Sequence, residues 1–322
     1  MQRFDAIVLG AGVIGAAAAY HLAHRGARTL VLERFAFGHA HGSSHGGSRI
    51  FRNAYPDVAH VRMALAADAL WTALEDETGE RSLQRTGGLD FGVVGGGELE
   101  PIEAALRQAG SGGERLTAAE VRAAFPVFAV PDDVEALFQA SAAIVPASCA
   151  VATLLRAAGA AGAVLRDGEP VERLDLGADG VSVATPMGRY AADRLVVATG
   201  PWLGEVLPDL ALPLHVEQQQ VLYVAVGDEA RAAATVAAVR HLLPGLSARL
   251  VGYQTCLYTK TPDERFVLDR HPERPHVVVA GGGSGHAFEF GPLLGAIAAD
   301  LALDAATARP TAGFGLGCFA GT

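Results

Sequence analysis

The sequence predicts an α/β fold, doubly wound around a mostly parallel, Rossmann-like sheet. Three observations carry this. The chain opens with a strand, glycine turn, helix and strand; strands and helices alternate from there to residue 303; and two late apolar runs, Leu195–Gly200 and His276–Gly281, read as buried strands meeting a glycine.

Phe4–Leu9 is a short apolar run of buried-strand length, followed by Gly10-x-Gly12-x-x-Gly15 and a helical stretch Ala16–Arg25 that Gly26 stops. Thr29–Leu32 is a second buried strand ending in Glu33. Gly10 permits the tight turn, Gly12 lets backbone approach a pyrophosphate, and Gly15 lets helix lie close on sheet. The helix N-terminus then faces the phosphates, and Glu33 stands where an acid accepts bonds from a ribose hydroxyl. This unit predicts a dinucleotide without separating FAD from NAD.

Residues 38–48 form a loop with no packed core of its own. Val58–Thr78 reads as an amphipathic helix with Val61, Leu65, Ala69 and Leu74 near helical spacing, Thr86–Val94 as a strand, and Gly95–Gly97 as a turn. Thr117 caps a helix, with Glu120 at the capping-box position. Ala147–Ala161 is helical; Val164–Leu165, Gly180–Thr185 and Gln220–Val226 are strands; Glu229–Leu243 is an Ala-rich helix. His276–Gly281 leads through Gly282–Gly291 into the helix Pro292–Leu303.

With 322 residues the chain is long enough for two domains. No apolar run reaches the roughly 18 residues of a transmembrane helix, and the N-terminal residues carry no signal-peptide pattern. A formal charge of −10 argues against a nucleic-acid footprint and offers no polybasic membrane patch. Cys149, Cys256 and Cys318 are too few and scattered for a disulfide framework or zinc site, and no metal is expected. The expectation is a cytoplasmic protein without a membrane or nucleic-acid partner, a monomer or small homo-oligomer.

Five further segments carry a resemblance: Gly42-Ser43-Ser44-His45-Gly46-Gly47-Ser48-Arg49-Ile50-Phe51-Arg52, Thr86–Gly92, Ala192–Trp202, Cys256–Phe266 and Gly283–Phe288. Together, and in this order, they resemble the monomeric sarcosine oxidase and N-methyltryptophan oxidase branch of the glycine/D-amino-acid oxidase (DAO) flavoenzymes. The resemblance implies FAD, carried covalently by Cys256 through a thioether to the ring's 8α-methyl. That chemistry needs a thiolate, which a nearby cation such as Arg49 favours; a buried structural cysteine is the competing reading. The resemblance also implies that His45 and Arg49 contact the flavin ring, that Arg52 pairs with a substrate carboxylate, and that Tyr258 lines the substrate cavity. A solvated basic loop and a core tyrosine are the alternatives. Ser44, Val171, Gly200, Gly283, Gly285 and His286 become cofactor contacts by the same resemblance.

Two departures bear on the substrate. Glu289 stands where the family has a lysine that clamps the substrate carboxylate with the arginine matching Arg52. At about 4 Å and an effective dielectric near 20, a unit charge pair is worth roughly 4 kcal/mol, so sarcosine itself is expected to be a poor substrate. Glu289 is expected either to pair with Arg52 or to welcome a cationic group. Second, Gly227-Asp228-Glu229 stands where the family places a strand-rich segment bearing a histidine at the substrate site and a lysine that activates dioxygen. The only lysine in this chain is Lys260. The expected fold is therefore an FAD-binding domain from residues 1–84, 142–215 and 252–322, with a smaller, sheet-containing and truncated substrate domain from 85–141 and 216–251. The expected reaction is oxidation of an amine C–N bond to an imine with hydrogen peroxide as co-product. An amine dehydrogenase using another acceptor, or a flavin-binding accessory protein, is the alternative. An NAD enzyme fits the N-terminus alone.

Overall fold

The computed structural model describes residues 1–226, 246–311 and 313–319; the expected helix Glu229–Leu243 and the junction at Gly227–Glu229 lie outside them. The opening unit is β1 (Gln2–Leu9), α1 (Val13–His24) and β2 (Thr29–Leu32). There follow β3 (Arg49–Phe51), α2 (Val58–Thr78), β4 (Gln84–Arg85), β5 (Gly88–Val93), α3 (Glu100–Gln108), β6 (Glu114–Thr117), α4 (Ala118–Ala124), β7 (Val134–Gln139), β8 (Ala143–Val145) and α5 (Ala147–Ala160). The chain continues with β9 (Val164–Arg166), β10 (Arg173–Leu176), β11 (Val181–Thr185), β12 (Gly188–Val197) and α6 (Leu203–Val206). Last come β13 (His215–Val226), β14 (Leu246–Lys260), β15 (Val267–Arg270), β16 (Val277–Gly281) and the helix Gly291–Leu303, here α7.

The main sheet has eight strands, with β9, β2, β1 and β12 side by side and parallel. The far edge of β12 forks: through Ala192 it pairs antiparallel with β11, and from Leu195 it pairs parallel with β16. Both faces of the sheet are covered, so its central strands read as unbroken apolar runs. Ala6 and Val8 face a cluster containing Ala16 to Ala19 of α1 and Ile297 to Ala299 of α7; Ile7 and Leu9 face a second cluster with Leu195, Leu203 and Val279. Small residues draw α1 and α7 together: a Cβ on Gly295 would lie 2.4 Å from that of Ala17.

Three smaller sheets complete the fold: β3-β8-β4, β5-β7-β6 and the β13–β14 ribbon. The Thr117–Glu120 capping box forms as expected. Helix α2 has the expected bounds, but its buried face runs through Val61, Ala64, Ala67, Trp71 and Leu74, whereas Ala69 is exposed. Trp71 wins the inward position because it is far larger and its Nε1 finds a buried acceptor, the Glu289 carbonyl, at 2.8 Å.

Candidate cofactor and substrate site

A cavity of about 570 Å³ opens at the C-terminal ends of β1, β2, β12 and β16, where doubly wound sheets bind their ligands. Its floor is the glycine turn. Gly10 has φ +94°, and a Cβ there would stand 2.5 Å from the Ala198 carbonyl oxygen; one on Gly15 would stand 2.0 Å from that of Gly10. Gly12, which caps α1, brings no side chain to the helix end; the Val13 amide donates to Ser44 Oγ at 3.0 Å. Such a helix N-terminus favours an anion. Glu33 is buried; its Oε2 accepts from the Ala11 amide at 2.9 Å and its Oε1 from the Phe35 amide at 3.0 Å. Thr199 Oγ1 is buried on the same wall, beside Gly200, without a partner among the described residues, and Val171 also lines the cavity. An orphan hydroxyl, a side-chain-free turn and a terminal acid fit a dinucleotide such as FAD.

At the other end the lining is Arg49, Tyr258, Phe288, Gly283 and Gly285. The Arg49 guanidinium stands 5.8 Å from the Phe288 ring centroid and donates to the carbonyls of Ser43 at 2.9 Å and Ser48 at 2.8 Å. Gly285, at φ +88°, makes room for Tyr258, whose ring a Cβ would meet at 2.5 Å. The loop 38–48 is pinned on two sides: Ser43 Oγ donates to the Leu257 carbonyl on β14, and the Gly46 amide to Ser148 Oγ in α5 at 3.0 Å.

His45, Arg52, Cys256, His286 and Glu289 do not line this cavity. Cys256 is buried on β14 opposite Gln219; burial pushes its thiol up while Arg49 pulls it down, and burial prevails. Burial, then Arg49, holds the His45 imidazole below its ordinary range, and its Nε2 has no partner among the described residues. The His286 ring packs 4.9 Å from that of Phe266, and its Nε2 donates to the Glu264 carbonyl at 3.0 Å, so the side chain is aimed at an aromatic cluster.

Arg52 and Glu289 correct one expectation. They form no side-chain ion pair. Arg52 Nη1 lies 3.5 Å from Asp90 Oδ1, its guanidinium 4.9 Å over the Tyr55 ring. Glu289, only 4 % exposed, takes the Tyr55 hydroxyl on Oε1. Burial pushes its carboxyl up to about 8, with Arg52 pulling the other way. Lys260 is held by Glu217 at 3.0 Å and Glu264 at 3.6 Å. Sequence reasoning missed Asp90, Tyr55 and Thr199, although Asp90 and Thr199 lie inside segments it had singled out.

The DAO family profile, described as FAD dependent oxidoreductase, matches residues 5–237 and 225–301. The chain belongs to this family. Among its relatives, the monomeric sarcosine oxidase of Streptomyces avermitilis is 34% identical over 95% of each chain. The N-methyl-L-tryptophan oxidase of Yersinia pestis is 30% identical over 98% of this chain and 99% of its own. NikD, an unusual amino acid oxidase essential for nikkomycin biosynthesis, superimposes with TM-score 0.82 at 28% identity over 96% of both chains. The Streptomyces alignment spans 369 positions against the 322 residues of this DAO-family chain, so it opens gaps within it. The two family matches meet at 225–237, where the shortened segment was expected.

Proposed function

We propose that this FAD-dependent oxidoreductase oxidises the C–N bond of a secondary or primary amine, an N-methyl amino acid or cyclic imino acid, to an imine that water hydrolyses. The observation that carries this reading is the cavity's two ends: a dinucleotide turn at one, Arg49 and Tyr258 at the other. The names of the relatives, sarcosine oxidase and N-methyl-L-tryptophan oxidase, support the substrate class. Bound FAD supplies the two-electron acceptor for the amine's hydride equivalent. Arg49 places a fixed cation at the ring end of the cavity, and the Gly283–Gly285 turn adds backbone donors, both favouring negative charge that develops there. His45, held below its ordinary range by burial and then by Arg49, adds no charge there near neutral pH. No carboxylate in the lining near Tyr258 is a ready base, and a dry site favours the uncharged amine, so the substrate binds as the free base.

Glu289 is mostly protonated at neutral pH, so it withdraws an attraction and adds little repulsion. Sarcosine then loses up to the roughly 4 kcal/mol of one charge pair and turns over poorly; Glu289→Lys restores it. We further propose that Cys256 carries the flavin, and that residues 1–84, 142–215 and 252–322 form the FAD domain, with 85–141 and 216–251 the substrate domain, joined by the continuous β14. A cytoplasmic location and a monomer or small homo-oligomer belong to the same reading.

One observation favours a second reading. Lys260 is already paired with Glu217 and Glu264, which favours a dehydrogenase passing electrons to an acceptor other than oxygen over an oxidase yielding hydrogen peroxide. The test is anaerobic titration of the purified protein with N-methyl amino acids, cyclic imino acids and primary amines. Bleaching of the flavin band by one of them is expected; a flavin that none of them bleaches leaves an accessory protein without catalysis.

A further inference from the structure

The fork in the far edge of β12 encloses a second cavity, of about 250 Å³, at the opposite end of the sheet from the glycine turn. From His276 at this cavity, the five residues of β16 lead to Gly281 at the first, a span of about 17 Å. Asp193 and Arg194 sit where β12 has left β11 and not yet met β16, so the pleat opens there. Arg194, Arg270 and His276 line the gap, closed by Leu301–Leu303 at the end of α7 and rimmed by Asp179.

The polar groups are incompletely used. Arg194 donates through Nε to the Ala302 carbonyl at 2.9 Å and through Nη1 to the Asp193 carbonyl at 3.0 Å. Arg270 donates through Nε to the Pro275 carbonyl at 2.6 Å. These bonds fix both guanidinium planes, yet among the described residues neither arginine has a carboxylate partner, although acids outnumber bases in the chain. His276 is 7 % exposed, and its Nε2 has no partner among the described residues. The backbone of Gly180 bonds the ring, while Arg194, Arg274 and Asp179 are the charges facing it. Arg274 is itself taken by Asp209 at 2.8 Å. Two arginines pinned by their own backbone contacts, with terminal nitrogens unspent, and a buried imidazole beside them form a planar donor set for an oxyanion.

We propose that this fork binds a small oxyanion, a carboxylate or a tetrahedral anion such as sulfate, at a site separate from the cofactor cavity. Arg194 and Arg270 supply the donors, and His276 Nε2 donates once the anion's charge has drawn a proton onto the ring. Asp179 on the rim repels excess negative charge, which favours a monoanion or dianion over polyphosphates.

Calorimetric titration of the purified, flavin-loaded protein with sodium sulfate and, separately, with sodium acetate tests this. One saturable site per chain is expected for at least one of them, and the preferred anion tells a tetrahedral from a planar ligand. Arg270→Gln and His276→Gln should each weaken it roughly tenfold, the loss of one charge-assisted bond, with Arg270→Lys in between. Thermal midpoints show which variants are folded, and the visible flavin spectrum should not follow the isotherm. Absence of saturation by either anion, equal affinity in the folded variants, or a flavin shift tracking the titration (anion at Arg49 or Arg52) would overturn the assignment. The binding measurement does not depend on which amine the protein oxidises.

Discussion

Replacing Glu289 by glutamine isolates the cost of burying one carboxyl. The group keeps its proton up to about 8 in the folded chain, against an ordinary value of 4.5. Above 4.5 the unfolded chain therefore binds fewer protons than the folded one at this position, and stability falls as pH rises, until the folded group ionises as well. Each pH unit in that window costs about 1.4 kcal/mol, so the step from pH 5 to pH 7 removes roughly 3 kcal/mol and the full window about 5 kcal/mol at most. In Glu289→Gln the side-chain amide oxygen would still accept the Tyr55 hydroxyl, and the amide has no proton to lose. The assay is urea unfolding of both proteins at pH 5 and pH 7, followed by tryptophan fluorescence, with all other titrating groups cancelling in the comparison. The natural protein should lose roughly 3 kcal/mol more than Glu289→Gln between the two pH values. Parallel pH dependences would refute the reasoning, because a carboxylate that solvent or Arg52 keeps charged contributes no such slope.

Four other outcomes follow from the geometry. Gly15→Ala puts a Cβ at 2.0 Å from the Gly10 carbonyl oxygen, so the βαβ turn must open; flavin content should collapse, and a variant that retains full flavin contradicts the close approach. Cys256→Ala should send all flavin colour into the supernatant on acid precipitation while the natural protein keeps it in the pellet. Because burial raises the Cys256 thiol, attachment should speed up with rising pH and slow down in Arg49→Gln, measured as fluorescence of the denatured band; a rate flat in pH speaks against a thiolate. Stopped-flow mixing of reduced protein with oxygen should show slow reoxidation, since Lys260 is spent on Glu217; fast reoxidation removes the dehydrogenase reading.

What the sequence made legible was what depends on near neighbours or on a strand buried on both faces. The glycines of the turn could be placed because each answers a local need, and β1, β12 and β16 because Ala6–Leu9, Leu195–Val197 and Val277–Gly281 are fully buried stretches without a polar side chain. β14 could not be seen: Tyr253-Gln254-Thr255-Cys256 has no apolar run, and the strand exists through its register with β13, from Gly252 opposite Tyr223 to Lys260 opposite His215. The same holds for α2, whose inward face was settled by a carbonyl 218 residues away. At the site, the side-chain partners (Asp90 for Arg52, Tyr55 for Glu289, Glu217 for Lys260) come from segments that no spacing rule connects.

Cys256 and Glu289 present one contest twice. Each is a buried acid with an arginine close enough to act on it, Arg49 for the thiol and Arg52 for the carboxyl, and in each burial outweighs the cation. Sequence reasoning set a buried structural cysteine against the thiolate at Cys256, but at Glu289 it weighed charge alone and expected a carboxylate. With both acids protonated near neutral pH and His45 uncharged, Arg49 and Arg52 are, among the described residues, left as the cations beside them, Arg52 facing the Asp90 carboxylate. The balance is net positive toward whatever enters from the Tyr258 end. A substrate carboxylate or negative charge on the cofactor ring would meet that field, and its arrival would also pull Cys256 and Glu289 further toward their protonated forms. Rising pH works in the opposite direction, ionising Glu289 first, beside Arg52. Affinity for the free-base form of a carboxylate-bearing amine should therefore fall through pH 8 in the natural protein and stay level in Glu289→Gln, a difference that substrate binding to the oxidised protein can measure.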